Sequence, residues 1–174
     1  MSAALGLGRR GPWFGLVAGV AALGAIEVLV QHLVAGALLP APVALAVDLL
    51  VGVLTAALVV LFVSPLWSRH HVSDGVARLR LGWLGAVDVA APDVVSAAVY
   101  RPTAARPLEL GAGFDESTGR LSLVRTTTSP AVLIELSQPV AGRVQVMRKV
   151  RATSVLVGVA APDELLRTLT PTPR

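Results

Sequence analysis

The stretch that decides the fold runs from residue 13 to residue 63: WFGLVAGVAALGAIEVLVQHLVAGALL at 13–39, PAP at 40–42 and VALAVDLLVGVLTAALVVLFV at 43–63. A hydrocarbon core of about 30 Å takes roughly 20 helical residues to cross, and each apolar run is long enough to do so. Glu27, Gln31 and His32 interrupt the first run, and Asp48 is the only charge in the second. Pro40 and Pro42 break the helix between them, because proline lacks the N–H that would continue it and restrains the residue before it. The segment 11–67 is therefore expected to be an antiparallel hairpin of two membrane spans.

Orientation follows from the flanks. Arg9 and Arg10 precede the first span, Arg69, His70 and His71 follow the second, and the connecting turn carries no charge. The bias of Lys and Arg toward the cytoplasmic side predicts a multi-pass protein of the cell membrane with both termini cytoplasmic. Trp13 with Phe14, and Trp67, fall at the same expected interface, as in an aromatic belt. A cleaved or twin-arginine signal built on Arg9 and Arg10 is the lesser alternative. The apolar run is too long for one, contains Glu27, and leads at once into another span.

A charge in hydrocarbon costs about 2.5 to 3.5 kcal/mol even on the lenient insertion scale, so Glu27 and Asp48 need partners or protons. If the hairpin turns about Pro40, residues whose numbers sum to about 80 share a depth. His32 then lies level with Asp48, and a contact between them across the hairpin is expected. Glu27 and Gln31, four apart, share one helix face. Gly15 and Gly19 form a Gly-x-x-x-Gly pair, and Gly24 and Gly52 add small positions at which helix backbones can approach. The polar set reads as glue between helices, within the chain or between copies, or else as a contact to a larger membrane partner or the lining of a proton or ion route.

Composition bounds the rest. Charged residues make up 15% of the chain and mean hydropathy is +0.71, against roughly 25% charge in soluble domains. The net charge is +4 and the pI about 11.0. The basic residues are nonetheless scattered and do not interleave with aromatics as a nucleic-acid stacking surface requires, so no nucleic-acid partner is expected. The chain has no cysteine, which excludes disulfides, thiolate metal sites and cysteine nucleophiles. In the cytoplasmic domain a Ser, Thr or Lys nucleophile finds no neutral-pH base beyond His70 and His71, and the glycine pairs Gly82-x-x-Gly85 and Gly111-x-Gly113 read as hairpin turns rather than phosphate cradles. No cofactor, no metal and no enzymatic activity are expected.

Residues 1–10 read as a cytoplasmic tail, 68–170 as a cytoplasmic β-rich domain and 171–174 as a further tail. Short alternating stretches bounded by Gly, Pro, Asp or Ser predict strands at 76–81, 86–89, 94–100, 108–112, 120–126, 131–137, 143–150 and 154–159. Pro162-Asp163-Glu164-Leu165-Leu166-Arg167-Thr168-Leu169 predicts a helix, with proline and acids in its first turn and one apolar face. The expected architecture is a compact antiparallel barrel or sandwich. Arg143, Arg148, Lys149 and Arg151 are its densest basic cluster, split between faces if they lie on strands. Arg69, His70 and His71 read as an interfacial linker that meets lipid head groups.

The run from Ser73 through Val89, the break at Pro92-Asp93, the stretches Ala131 to Leu136 and Ser154 to Val159, and the helix from Pro162 together resemble bacterial pleckstrin-homology-like domains. A two-span hairpin ahead of such a domain, in an Arg-over-Lys, Ala- and Val-rich chain, resembles small actinobacterial membrane proteins. The resemblance implies a bent barrel of about seven strands closed by a C-terminal helix, a fold that mainly serves binding and scaffolding. Phosphoinositide-binding members carry a basic cluster in the first hairpin, where this chain has Arg78 and Arg80 but no Lys, and Asp88 in the partner strand. The functional expectation is a non-catalytic membrane scaffold or adaptor that binds membrane lipid, another membrane or cytoplasmic protein, or itself. The alternative is an accessory subunit or homo-oligomer of a transport system in which Glu27, Gln31, His32 and Asp48 carry protons or ions.

Overall fold

A computed structural model describes residues 3–103 and 107–169. The expected tail at 171–174, Thr170 and the first two residues lie outside the described residues. The chain forms two compact units: Gly11–Val63, and a β unit made of the N-terminal segment to Arg10 together with the chain from Ser64 onward.

The first unit is a pair of helices, α1 (Gly11–Leu38) and α2 (Ala41–Val63). Both are long and apolar enough to cross a membrane. Their ends match the expected spans to within two residues, because Pro40 stops α1 and its carbonyl then accepts the amides of Val43 at 2.9 Å and Ala44 at 3.0 Å to start α2. The Trp13 indole N–H donates to the Phe62 carbonyl at 2.8 Å, which ties the start of α1 to the end of α2. Trp13 therefore joins the two helices rather than simply marking an interface.

The β unit is a mostly open, mixed sheet. Its strands are β1 (Ala3–Leu5), β2 (His70–Ser73), β3 (Val76–Leu81), β4 (Gly85–Ala90), β5 (Val94–Tyr100), β6 (Gly111–Asp115), β7 (Arg120–Val124), β8 (Ala131–Val144) and β9 (Arg148–Gly158). They run in the order β1-β2-β3-β4-β8-β9-β7-β6, with β5 pairing to β8 off that path. A helix, α3 (Pro162–Leu169), follows, and its Leu165 and Leu169 are buried in the same core as Leu79, Leu121 and Ile134.

Several expectations need correction. Residues 3–5 are not a free tail: Leu5 pairs with His70 and Ala3 with Val72 in an antiparallel ladder, and Leu5 and Leu7 are buried in the core. So short a strand carries no alternation to read, and its partner lies beyond the whole hairpin. The sheet is not all antiparallel, since β7 and β9 pair in parallel from Arg120↔Ser154 to Leu123↔Val157. Its nine strands among the described residues exceed the seven expected. The anticipated strand 143–150 is instead the turn of a long β8–β9 hairpin, because Gln145 and Val146 take positive φ of 50° and 69°. Gly111-x-Gly113 is not a turn but part of β6, and the turn lies at residues 116–119, ending at Gly119.

Candidate functional site

Within the helix pair, His32 Nδ1 lies 2.7 Å from Asp48 Oδ2, the level pairing that the hairpin arithmetic requires. The second oxygen of Asp48 is buried and has no hydrogen-bond partner. Glu27 is exposed, and Gln31 is half-buried. Of the four small positions, Gly24 alone meets the other helix: a β-carbon there would stand 2.6 Å from Thr55 Cγ2, whereas Gly15, Gly19 and Gly52 face open space. Interhelical hydrogen bonds in membranes contribute about 0.6 kcal/mol on average and at most about 1.7. Asp48→Asn and His32→Ala should each weaken the pairing of α1 with α2 by less than about 2 kcal/mol, and their effects should be strongly non-additive. A double-mutant cycle on helix-pair stability in bilayers checks this, and additive losses would mean that the contact carries no energy.

The basic residues of the β unit sort into two sets. Arg80 of β3 stands opposite Ala86 of β4, Ala86 opposite Arg143 of β8, and Arg143 opposite Lys149 of β9. Strand alternation therefore puts Arg80, Arg143 and Lys149 in one row across four strands. Arg78, opposite Asp88, and Arg151, opposite Ala141, extend that face by one further row. Small residues in and beside the row, Ala86, Ala141 and Gly142, leave a groove of about 520 Å³ edged by Arg80, Arg143 and Lys149. Five cations share this face with one carboxylate, Asp88, which pairs with Arg80 at 2.9 Å in an exposed contact of the kind that contributes about 1 kcal/mol or less. Arg148, one residue out of step, instead pairs with Glu116.

Two turns end this face side by side. The β3–β4 turn presents Trp83, 56% exposed, and the β8–β9 turn presents Met147, 85% exposed. The Val146 amide donates to the Leu84 carbonyl at 3.5 Å, joining the tips. The β3–β4 turn is also fastened to the residues that follow α2. The Trp83 amide donates to Ser64 Oγ at 3.0 Å and the Gly82 amide to Ser68 Oγ at 2.6 Å, and Trp67 beside them is 74% exposed. Sequence reading took Gly82 to Gly85 as a plain turn. The signal it passed over was a tryptophan at a hairpin tip, a place where polar residues are usual.

His70 departs from expectation. It is fully buried rather than a head-group contact, because β2 puts it on the core side of the sheet while its neighbour His71 faces out. Its Nδ1 accepts the Arg80 amide at 3.2 Å and its Nε2 lies 3.1 Å from the Gly158 carbonyl, so the neutral ring carries its proton on Nε2. Burial above all, then the nearby charges of Arg125 and His71, push its pKa down to about 4. Arg69 and His71 are exposed as expected.

Asp115 lines a cavity of about 260 Å³ with Glu109, Arg120 and Ser122, but its carboxylate accepts from Ser117 and Thr118. Those hydrogen bonds hold its pKa down at about 2, which suits an ionised turn cap and not a general acid or base. Among the described residues no group of three or more His, Asp or Glu is gathered closely enough to hold a metal ion. No family model matches the chain, and neither the curated proteins nor the solved structures give a match.

Proposed function

We propose that this chain is a non-catalytic, two-span membrane protein whose cytoplasmic β unit, of pleckstrin-homology-like character, docks on the anionic lipid surface next to its own anchor. The observation that carries this reading is the row of Arg80, Arg143 and Lys149 ending at the exposed tips Trp83 and Met147. Cations take anionic head groups, and an aromatic ring with an apolar body suits the interfacial layer. Each basic residue near such a surface contributes roughly 1 kcal/mol.

Connectivity supports the same reading. β1 and β2 are ladder partners on either side of the hairpin, so both ends of the helix pair leave from neighbouring strands. That agrees with two spans whose flanks share one side of the membrane, the side marked by Arg9, Arg10 and Arg69. The β3–β4 tip, bonded to Ser64, belongs to the region where the chain leaves α2. In the helices, the pairing of His32 with Asp48 favours a packing role over an ion route, since each group is engaged by the other.

The full chain in nanodiscs tests the proposal. With Trp13 and Trp67 replaced by Phe, Trp83 emission should be quenched by brominated acyl chains when the disc contains anionic lipid, and much less in a zwitterionic disc. The paired reversal Arg143→Glu, Lys149→Glu should abolish that difference, as should added salt, because screening shortens to a few ångströms at molar ionic strength. Quenching equal in both lipids and indifferent to the reversal would overturn the electrostatic docking, and absence of quenching in either lipid would leave an acidic protein surface as the partner of this face.

A further inference from the structure

Arg125, the residue after β7, is 2% exposed, a buried cation. Its Nη1 donates to the Pro65 carbonyl at 3.2 Å and its Nη2 to the Gly8 carbonyl, while its Nε is buried with no hydrogen-bond partner. None of the ion pairs among the described residues includes it. Two neutral carbonyls are poor compensation for removing a guanidinium from water, since an unpaired buried charge costs several kcal/mol. Burial first, and then the like charge of Arg10, lower the pKa of Arg125.

The surroundings add positive charge instead of neutralising it. Arg125 lines a cavity of about 220 Å³ together with Arg10, Arg69 and Ser68, and among the described residues no carboxylate lines it. The cavity wall is fixed in place. Gly8 has φ of +90°, and a β-carbon there would come within 2.2 Å of Ser129 Oγ, so only glycine lets the segment run this close. The Arg9 amide then donates to Ser129 Oγ at 2.8 Å, and the Ala160 amide to the Gly6 carbonyl at 2.8 Å. Three arginines line one small cavity, and this concentration of positive charge is one that an anion accepting hydrogen bonds from more than one of them would neutralise, as water would not. Guanidinium forks match phosphate oxygens in geometry as well as in charge.

We infer that the cavity around Arg125 is a phosphate-binding site in which Arg10, Arg69 and Arg125 hold one phosphate group. Arg10 directly precedes α1 and Arg69 lies six residues beyond α2, which makes a phospholipid head group the nearest source, with free phosphate as the other. The site goes beyond the docking of the sheet face: it shares with that reading only the membrane location of the hairpin, and its residues are different ones.

Native mass spectrometry of the full chain, released from discs of mixed zwitterionic and anionic phospholipid, tests the assignment. The wild-type chain is expected to retain one anionic phospholipid. Arg69→Gln and Arg10→Gln, both exposed positions, should each lower occupancy roughly tenfold, the loss of one charged hydrogen bond. Arg125→Lys, which keeps the charge but not the fork, should do the same, while Arg143→Glu with Lys149→Glu should leave occupancy unchanged. An adduct that survives millimolar inorganic phosphate identifies the lipid as the source. An adduct displaced by it, with inorganic phosphate raising the melting temperature of wild type but not of Arg69→Gln, identifies free phosphate. Equal adduct retention in wild type and the Arg10 and Arg69 variants would overturn the site, as would no adduct together with no thermal response to phosphate.

Discussion

Taking the protein from pH 7 to pH 4 should cost the β unit about 3 kcal/mol of stability through His70 alone. The unfolded imidazole titrates near 6.5 and the folded one at about 4. Between those values the unfolded chain binds the extra proton, so stability is complete above pH 6.5, falls as pH drops through the window, and levels off below about 4. The cause is local. Nδ1 accepts the Arg80 amide and Nε2 donates to Gly158, so a second ring proton would displace the amide of β3 in a site with no solvent. Chemical unfolding of the full chain in detergent, followed by Trp83 emission, should show the midpoint dropping across pH 6.5 to 4. His70→Gln should lower stability at pH 7 and flatten this dependence, whereas exposed His71→Gln should leave it intact. Asp115 does not confuse the window, because a carboxylate held at about 2 loses its contribution only below the ordinary carboxylate range. An undiminished pH slope in His70→Gln would assign the loss to other groups.

How much of this was legible in the sequence depends on the range of the interaction. The helix pair follows from apolar length and one proline-bounded break, both local, and the depth match of His32 with Asp48 follows from a fixed rise per residue. β3, β5 and α3 begin and end where alternation and turn residues place them. What failed was set by distant partners. Nothing in Ala3-Ala4-Leu5 announces a strand, because its ladder is made with residues 70–72 across the inserted hairpin. His70 reads as a polar linker residue until β1 and β9 close over it. Arg125 sits at the end of the strand Arg120-Leu121-Ser122-Leu123-Val124 and looks like an ordinary exposed terminus. Its burial comes from Gly8 and Pro65, which flank the helices. The basic residues 143, 148, 149 and 151 were visible as a cluster, but only register separates Lys149, Arg143 and Arg151 from Arg148.

Substitution at Gly85 is also expected to have a large effect, and the reason is equally non-local. It opens β4 after the Trp83 turn, and a turn reading would let many residues stand there. In the folded sheet a β-carbon at Gly85 would lie 2.5 Å from Leu123 Cδ2, 2.8 Å from Ala112 Cβ and 3.3 Å from the Arg143 carbonyl. β6 and β7 thus cross closely over the start of β4, and Leu123 is fully buried and cannot swing away. Forcing extra methyl groups into a packed site costs typically 1 to 3 kcal/mol, and here a backbone carbonyl bounds the space as well. Gly85→Val should therefore destabilise the β unit by about 3 kcal/mol. Gly113→Ala is the matched control, since its β-carbon would meet nothing nearer than Glu109 Oε2 at 4.0 Å, and it should change stability by less than about 1 kcal/mol. Unfolding midpoints of the two variants and the wild type measure both effects. Equal midpoints for Gly85→Val and wild type would mean that β6 and β7 do not close over β4. A large loss confined to Gly85→Val would mean that the glycine is there for the crossing and not for the turn.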